Sequence, residues 1–415
     1  MISYLKAIKK IRKNKIKIHN ENVLIKNSLN RICAKNIYSP SMYPPADNAA
    51  FDGYALVSKE TNNLNKKKTK KFKILRSIAA GDNPFIKNYK KNSSVEIMTG
   101  GIIPKPFNTI IPVEKVNFFP SKKNPTHVII NQYVKKHSHV RFSSSDFKFN
   151  DLVIKKGELI QPKHIMAFVT LGIKNIVVKK KIKLLFLSTG NELVKNDKKK
   201  LFPWKIRNSN NHYLSSLKSY INCQVIDGGI IRDKGYFKLK NILRKTFKSD
   251  IDIILTSGAV SAGKFDFVPK VIRDYKIENF FKNVAIRPGK PILFCKFRNK
   301  EKIFFGLPGN PISSAACFRF FVYPLIRMSL GMEQELKYNA KLDNDYSKKK
   351  NFTRFLKGIT WVSNKGLVKL KVLKGQESYK IKSFVESNCW AIFKSGKEKF
   401  KKGDIIECLP LNPSI

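Results

Sequence analysis

The feature that most constrains this chain is a recurring unit: a short continuous apolar run opens into a loop of small residues and then an acid. Its clearest copy is Ile253-Ile254-Leu255-Thr256-Ser257-Gly258-Ala259-Val260-Ser261-Ala262-Gly263-Lys264-Phe265-Asp266. A run without polar alternation is buried on both faces, as strands of a parallel sheet are. The small residues after it let a ligand approach the main chain at the strand's C-terminal edge. Thr256, Ser257 and Ser261 add hydroxyls, and free amides there would suit an anion. Taken alone, the stretch is equally an ordinary strand-to-helix turn that uses Gly258 for its dihedrals.

Two further copies change the balance. Leu184-Leu185-Phe186-Leu187 leads into Ser188-Thr189-Gly190-Asn191-Glu192-Leu193, and Val225 to Ile231 leads into Arg232-Asp233. Helical patterns fill the intervals at 211–220, 238–248 and 268–274. A run at 303–307 then meets Pro308-Gly309-Asn310-Pro311, and a helix follows over 312–329. This alternation predicts a doubly wound, mostly parallel α/β sheet over 181–330. Parallel strands end on one edge, so Glu192, Asp233 and Asp266 are expected to converge there. Arg287, Lys290 and the Pro308–Pro311 loop are expected on that edge or its rim. Three carboxylates facing two cations would hold a divalent metal and a phosphate-bearing ligand. Surface decoration does not explain the pattern, because acids are scarce: 29 Asp and Glu stand against 82 Lys and Arg.

The resulting net charge of +53 is spread along the whole chain, with no dense basic arm. Lys, Asn, Ile and Phe are abundant together, as A/T-rich coding produces, so a solvated basic surface is favoured over a nucleic-acid partner. Six cysteines stand far apart without a Cys-x-x-Cys pair, which suits reduced thiols in a cytoplasmic protein. No apolar stretch reaches the roughly 18 residues of a membrane helix, and Arg319 and Arg327 interrupt the nearest one, 315–332. Ile2, Leu5, Ile8 and Ile11 predict an amphipathic first helix.

The flanks read differently. Residues 21–38 suggest a helix or a short strand pair. Pro44 to Ala55 combines turn formers with Asp47, Asp52, Phe51 and Tyr54, more chemistry than an idle loop needs. From about 66 to 140, short alternating runs split by Gly, Pro and Asn predict a small inserted barrel or sandwich, with Thr99 at a strand end. Residues 151–160 suggest a hairpin and 161–169 a helix. The last part, from about 338, predicts a small β-barrel, with Gln376 and Ser378 between its strands as polar contacts.

At this point the chain resembles a known family, the molybdopterin molybdenumtransferases: the bacterial MoeA proteins, related to the C-terminal part of gephyrin. The resemblance rests on Asp47 to Ala55, Met98-Thr99-Gly100, Ser188 to Leu193, Ile231-Arg232-Asp233, Thr256 to Asp266, Arg287-Pro288-Gly289-Lys290-Pro291 and Gly306 to Pro311, in that order. It implies an N-terminal region over 1–175 carrying an inserted β domain at about 55–140. A MoaB/Mog-like molybdopterin-binding α/β domain over 181–330 and a β-barrel domain over 338–415 follow. It further implies a homodimer that receives adenylylated molybdopterin from a molybdopterin adenylyltransferase and passes the finished cofactor to molybdoenzyme acceptors. With Mg²⁺ and molybdate, AMP is released and molybdenum stays on the dithiolene sulfurs. Asp52, Thr99 and Asp146 would line one side of the cleft, and Glu192, Asp233, Asp266, Lys290, Pro308 and Pro311 the other. Glu192, Asp233 and Asp266 would hold the metal, and Arg287 and Lys290 the oxyanion. Ser257, Gly258, Ser261, Pro308, Gly309, Asn310, Pro311 and Ser378 would contact the bound cofactor.

The chain departs from the family's pattern in places. Ser144 and Ser145 stand where a Gly and an acid are usual, Ala259 where Gly is common and Lys264 where an acid is. Arg287 and Lys357 exchange Lys and Arg, keeping charge but not its geometry. The competing readings are the adenylyltransferase itself, and a non-catalytic scaffold or polyanion binder.

Overall fold

The computed structural model describes residues 1–195, 200–260, 267–298 and 300–413. The continuous apolar runs are strands of one six-stranded sheet. Its order is Cys223–Ile231, Ile182–Thr189, Ile253–Ser257, Lys302–Leu307, Leu293–Phe297 and Ile277–Lys282. The first four strands are parallel, and the last two run antiparallel to their neighbours. Successive side chains point to opposite faces. Leu184, Phe186, Ile253 and Leu255 therefore join a core with Leu214, Ile312 and Phe318, while Leu185, Leu187 and Ile254 pack with Leu239, Leu243, Val268 and Val271. Helices on both faces make the sheet doubly wound, as the alternation predicts. The register sets Ser188 opposite Ser257 and Ser257 opposite Leu307, so the loops after three strands leave at one level.

The long helix predicted over 312–329 is interrupted. Pro311–Cys317 passes into a π-helical turn, Phe318–Val322, before Tyr323–Leu330. Pro324 lacks an N–H and crowds the preceding turn, and the widened turn accommodates both. Arg319 in that turn is 2 % exposed and forks onto both carboxylate oxygens of Glu335 at 2.7 Å, so its charge is paired inside the core.

The N-terminal helix, Tyr4–Arg12, is capped by Ser3 and buries Ala7 and Ile11. The Tyr4 ring meets Phe321 and Phe355 edge-on. In the C-terminal region, Thr353–Val362, Val368–Val372, Tyr338–Leu342, Ile405–Pro410 and Cys389–Phe393 close into a five-stranded barrel. Ile286–Arg287 pairs alongside it with Thr353–Arg354.

The residues just described lie in a unit comprising 1–35, 156–161 and 176–415; residues 36–155 and 162–175 form a second unit. Its six-stranded sheet has the order Thr109–Pro112, Gly53–Leu56, Ser93–Ile97, Lys70–Ile78, His127–Ile130 and Asn117–Phe119. The expected barrel or sandwich is here an open mixed sheet, since its two outer strands do not pair. Closure is unnecessary because both faces are covered, one by a cluster around Tyr54, Phe72 and Val128, the other around Ala55, Val95 and Ile110. The expected hairpin at 151–160 is absent: Leu152–Ile154 pairs with Ile37–Tyr38, far away in sequence. The helix Pro162–Thr170 forms as expected. All six cysteines are buried and free. Among the described residues, no helix is long and apolar enough to cross a membrane.

Candidate active site

The strand ends of the doubly wound sheet enclose a cavity of about 400 Å³ lined by Glu192, Asp233, Gly258, Gly309, Asn310 and Pro311, among others. Two of the three expected acids therefore meet at one edge. Asp266, Ser261 and Lys264 lie outside the described residues.

Glu192 is held by its backbone. Arg232 donates from one guanidinium nitrogen to the carbonyls of Leu193 (2.8 Å), Asn191 (3.0 Å) and Gly190 (3.4 Å). The Asp233 amide donates to the Asn191 side chain at 3.0 Å, so the two acid-bearing loops brace each other. Gly190 has φ +143°, and a Cβ there would lie 2.4 and 2.5 Å from the Glu192 carboxylate oxygens. The glycine leaves the space that the carboxylate occupies.

At the Ser257–Gly258 turn the expectation of free amides is not met at Gly258. Thr256 and Ser257 are buried. The Ser257 hydroxyl donates to the Pro308 carbonyl and accepts from Asn210, which also donates to the Gly309 carbonyl at 2.9 Å. The Gly258 amide donates to the Leu307 carbonyl at 2.9 Å and is not free for an anion. Gly258 has φ +99°, and its missing side chain makes room for Thr189, whose hydroxyl would lie 2.5 Å from a Cβ. These residues lock the loops together. Ala259 follows at φ +54°, a left-handed conformation at the position where glycine is common in the resembled family. Asn208, which lines the cavity and accepts from the Ser188 hydroxyl at 3.0 Å, was not among the expected site residues, and neither were Asn210 and Arg232. The only available signal was Asn-Ser-Asn opening a helix and an arginine beside an acid.

Arg287 and Lys290 line a second cavity, about 830 Å³, with Pro308, Ser378, Arg354 and Lys374. Asn310 lines both cavities and donates to the Ser378 hydroxyl at 3.0 Å. Glu192 and Asp233 thus line one chamber and Arg287 and Lys290 the adjoining one, instead of facing each other across a single site. Arg287 stacks over Phe352 and stands in register with Arg354, a cation that sequence reasoning missed because it arrives from the barrel. Lys357, 1 % exposed, reaches the carbonyls of Gly375 (2.6 Å), Lys380 (3.0 Å) and Glu377 (3.4 Å) from beneath this wall. Gln376 closes the same loop by pairing with the Lys357 backbone. Burial pulls the Lys357 ammonium down to about 8.

In the second unit, Thr99 donates its amide and its hydroxyl to one oxygen of Asp52, both at 2.7 Å. Those two bonds hold the Asp52 carboxyl below its ordinary value. The nearby loop is fastened by the Ser143 amide to Asp47, the Ser144 amide to the Pro44 carbonyl and the Asp146 amide to the Tyr43 carbonyl. Ser144 has φ +62°, a conformation that the glycine of the resembled family adopts without strain.

Among the described residues, no group of three or more His, Cys, Asp or Glu is placed to hold a metal ion. The donors present nevertheless fit Mg²⁺. Glu192 and Asp233 offer hard carboxylate oxygens in one cavity, and Gly190 leaves the room in which the Glu192 carboxylate sits. Mg²⁺ is ordinarily held by one or two carboxylates, with substrate phosphates and water completing the shell.

Comparison with known proteins agrees with this architecture segment by segment. The MoeA N-terminal region (domain I and II) matches residues 2–172, a probable molybdopterin binding domain matches 185–328, and the MoeA C-terminal region (domain IV) matches 339–411. The structure of a molybdopterin biosynthesis MoeA protein from Pyrococcus horikoshii is 27 % identical, covers 99 % of each chain and superposes with a TM-score of 0.82. A molybdopterin molybdenumtransferase of Staphylococcus epidermidis is 27 % identical over 98 % of this chain and 95 % of its own. That of Haemophilus influenzae is 30 % identical over 94 % of this chain and 93 % of its own. With three matched regions in the family's order, near-complete coverage and two acids gathered at the strand ends, the chain belongs to the molybdopterin molybdenumtransferase (MoeA) family.

Proposed function

We propose that this chain is a molybdopterin molybdenumtransferase: it takes adenylylated molybdopterin and molybdate, releases AMP and leaves molybdenum on the dithiolene sulfurs. The observation that carries the reading is the pair of adjoining chambers, one bearing Glu192 and Asp233 and the other Arg287, Lys290 and Arg354, with Asn310 in the wall of both. Molybdate, the pyrophosphate link and the dithiolene are all anionic, and bringing them together requires positive charge. Arg287, Lys290 and Arg354 bind the incoming oxyanion. Glu192, Asp233 and Asp266 would hold Mg²⁺ and position water against the pyrophosphate. The bound ion supplies charge screening and a Lewis acid toward phosphoryl oxygens. Asn310 and Ser378 keep the two chambers in register. Asp52, Thr99 and Asp146 of a second copy would complete the cleft in a homodimer. A molybdopterin adenylyltransferase would deliver the substrate, and molybdoenzymes would accept the product. Buried free thiols throughout suit a cytoplasmic protein.

The test is AMP release by purified protein given adenylylated molybdopterin, with and without molybdate and Mg²⁺; ATP with molybdopterin serves as the control for the preceding adenylylation. Release that requires both ions, and that disappears in Asp233→Asn and Asp266→Asn, is expected. Full turnover in either variant would overturn the assignment of the acids, and no release by the unaltered protein would overturn the activity.

A further inference from the structure

The turn ahead of the acid chamber carries two large rings that stand mostly exposed among the described residues. Phe202 and Trp204 stack face to face, with ring centroids 4.8 Å apart and planes 10° from parallel. They are 62 % and 66 % exposed. Leaving so much aromatic surface in water is unfavourable, and a stacked pair presents flat faces that accept a third ring at the same spacing.

The position of the pair points to the ligand. Lys205 donates its backbone amide to the Phe202 carbonyl and its ammonium to the Asn191 carbonyl at 2.7 Å, pinning the turn to the loop that bears Glu192. The Ile206 amide donates to the Glu192 carbonyl at 2.9 Å, and Leu193 and Val194 pair in parallel with Ile206 and Arg207. Ile206 and Arg207, two and three residues beyond Trp204, line the acid chamber. The rings, an exposed guanidinium and Glu192 thus belong to one braced structure. A protein-docking patch would not need this tie to the chamber wall.

We propose that Phe202 and Trp204 form a stacking platform for a planar purine-like heterocycle of the substrate, either its adenine or its pterin. This rests on the activity proposed above. The platform would hold one flat end of the ligand while its phosphates enter the chamber beyond Arg207.

The test uses AMP and 6-hydroxymethylpterin as separate probes with the full chain. Binding is read by calorimetry and by tryptophan fluorescence. Trp390 is fully buried, and Trp361, though 38 % exposed, sits on a barrel strand and lines neither chamber, so Trp204 is the residue whose emission should respond. One of the two probes should quench it. Trp204→Ala should weaken that probe's binding roughly tenfold to a hundredfold and abolish the quench. Trp204→Phe should restore affinity without the quench, which a merely structural role would not predict. The probe affected identifies the ring. Calorimetric affinity within twofold of the unaltered protein for both probes in Trp204→Ala and in Phe202→Ala would overturn the platform while leaving the activity standing. Failure of the unaltered protein to bind either probe would overturn the platform, and AMP release would then decide separately on the activity.

Discussion

Gly190→Ala tests the acid chamber without removing a charge. The new Cβ would lie 2.4 Å from the nearer Glu192 oxygen, whereas ordinary contact begins at 3.4 Å, so the carboxylate must retreat by about 1 Å. The backbone cannot easily give instead. The Gly190 amide is bonded to the Ile231 carbonyl at 3.1 Å, and Arg232 holds the carbonyls of Gly190, Asn191 and Leu193. The side chain is free to move, so the fold should survive. Placing alanine at φ +143° costs about 1–3 kcal/mol. That corresponds to a fall in melting temperature of about 2–4 °C per kcal/mol for a domain of this size. A 1 Å misplacement of a positioning group costs on the order of 10²-fold in rate. Thermal unfolding and AMP release on the same preparation measure the two effects. A folded variant with a small melting shift and a rate loss near 10² is expected. Unchanged turnover with Glu192 displaced would refute a role for that carboxylate in the reaction.

Three further outcomes follow from particular contacts. Thr99→Val removes one of two donors to Asp52, so the Asp52 carboxyl, followed by NMR titration, should move up toward its ordinary 3.8. The same depressed value means that whatever stability the pair contributes is present above the unfolded pKa and is lost as pH falls through the folded one. Lys357 shows the opposite case: its folded value, about 8, lies below the ordinary 10.5, so the native state sheds this proton before the unfolded chain does. The stability of the protein relative to Lys357→Met should therefore rise between about pH 8 and 10.5; a flat difference in denaturant melts across that window would contradict the buried-charge account. Glu335→Gln leaves the buried Arg319 guanidinium without its counter-charge and should cost about 3–5 kcal/mol in urea unfolding.

Much of the fold was legible because its signals are local. A strand buried on both faces must be apolar throughout, and Leu184–Leu187 and Ile253–Leu255 are. A parallel strand must deliver its loop to the common edge, which is why Glu192 and Asp233 could be brought together on paper. The shape of the inserted domain was not legible. Alternating short strands fit a barrel, a sandwich or an open sheet equally, and only the covering of both faces by loops decides among them. The hairpin at 151–160 failed for a related reason: Ile37–Tyr38 supplied a better partner for Leu152–Ile154 than its own neighbour did.

Within the site, the acids and the family motifs belonged to the sequence, as did the small residues that give them room. What only the tertiary structure decided is how those groups are held and divided. Asn210 reaches Ser257 and Gly309, Arg232 clasps the Glu192 loop, and Lys357 supports the barrel loop that carries Ser378. Arg354 joins Arg287 from another domain, which separates a basic chamber from the acidic one. Each of these is two or three hydrogen bonds or one register between distant segments, and such a pairing leaves no periodicity in the chain from which to read it.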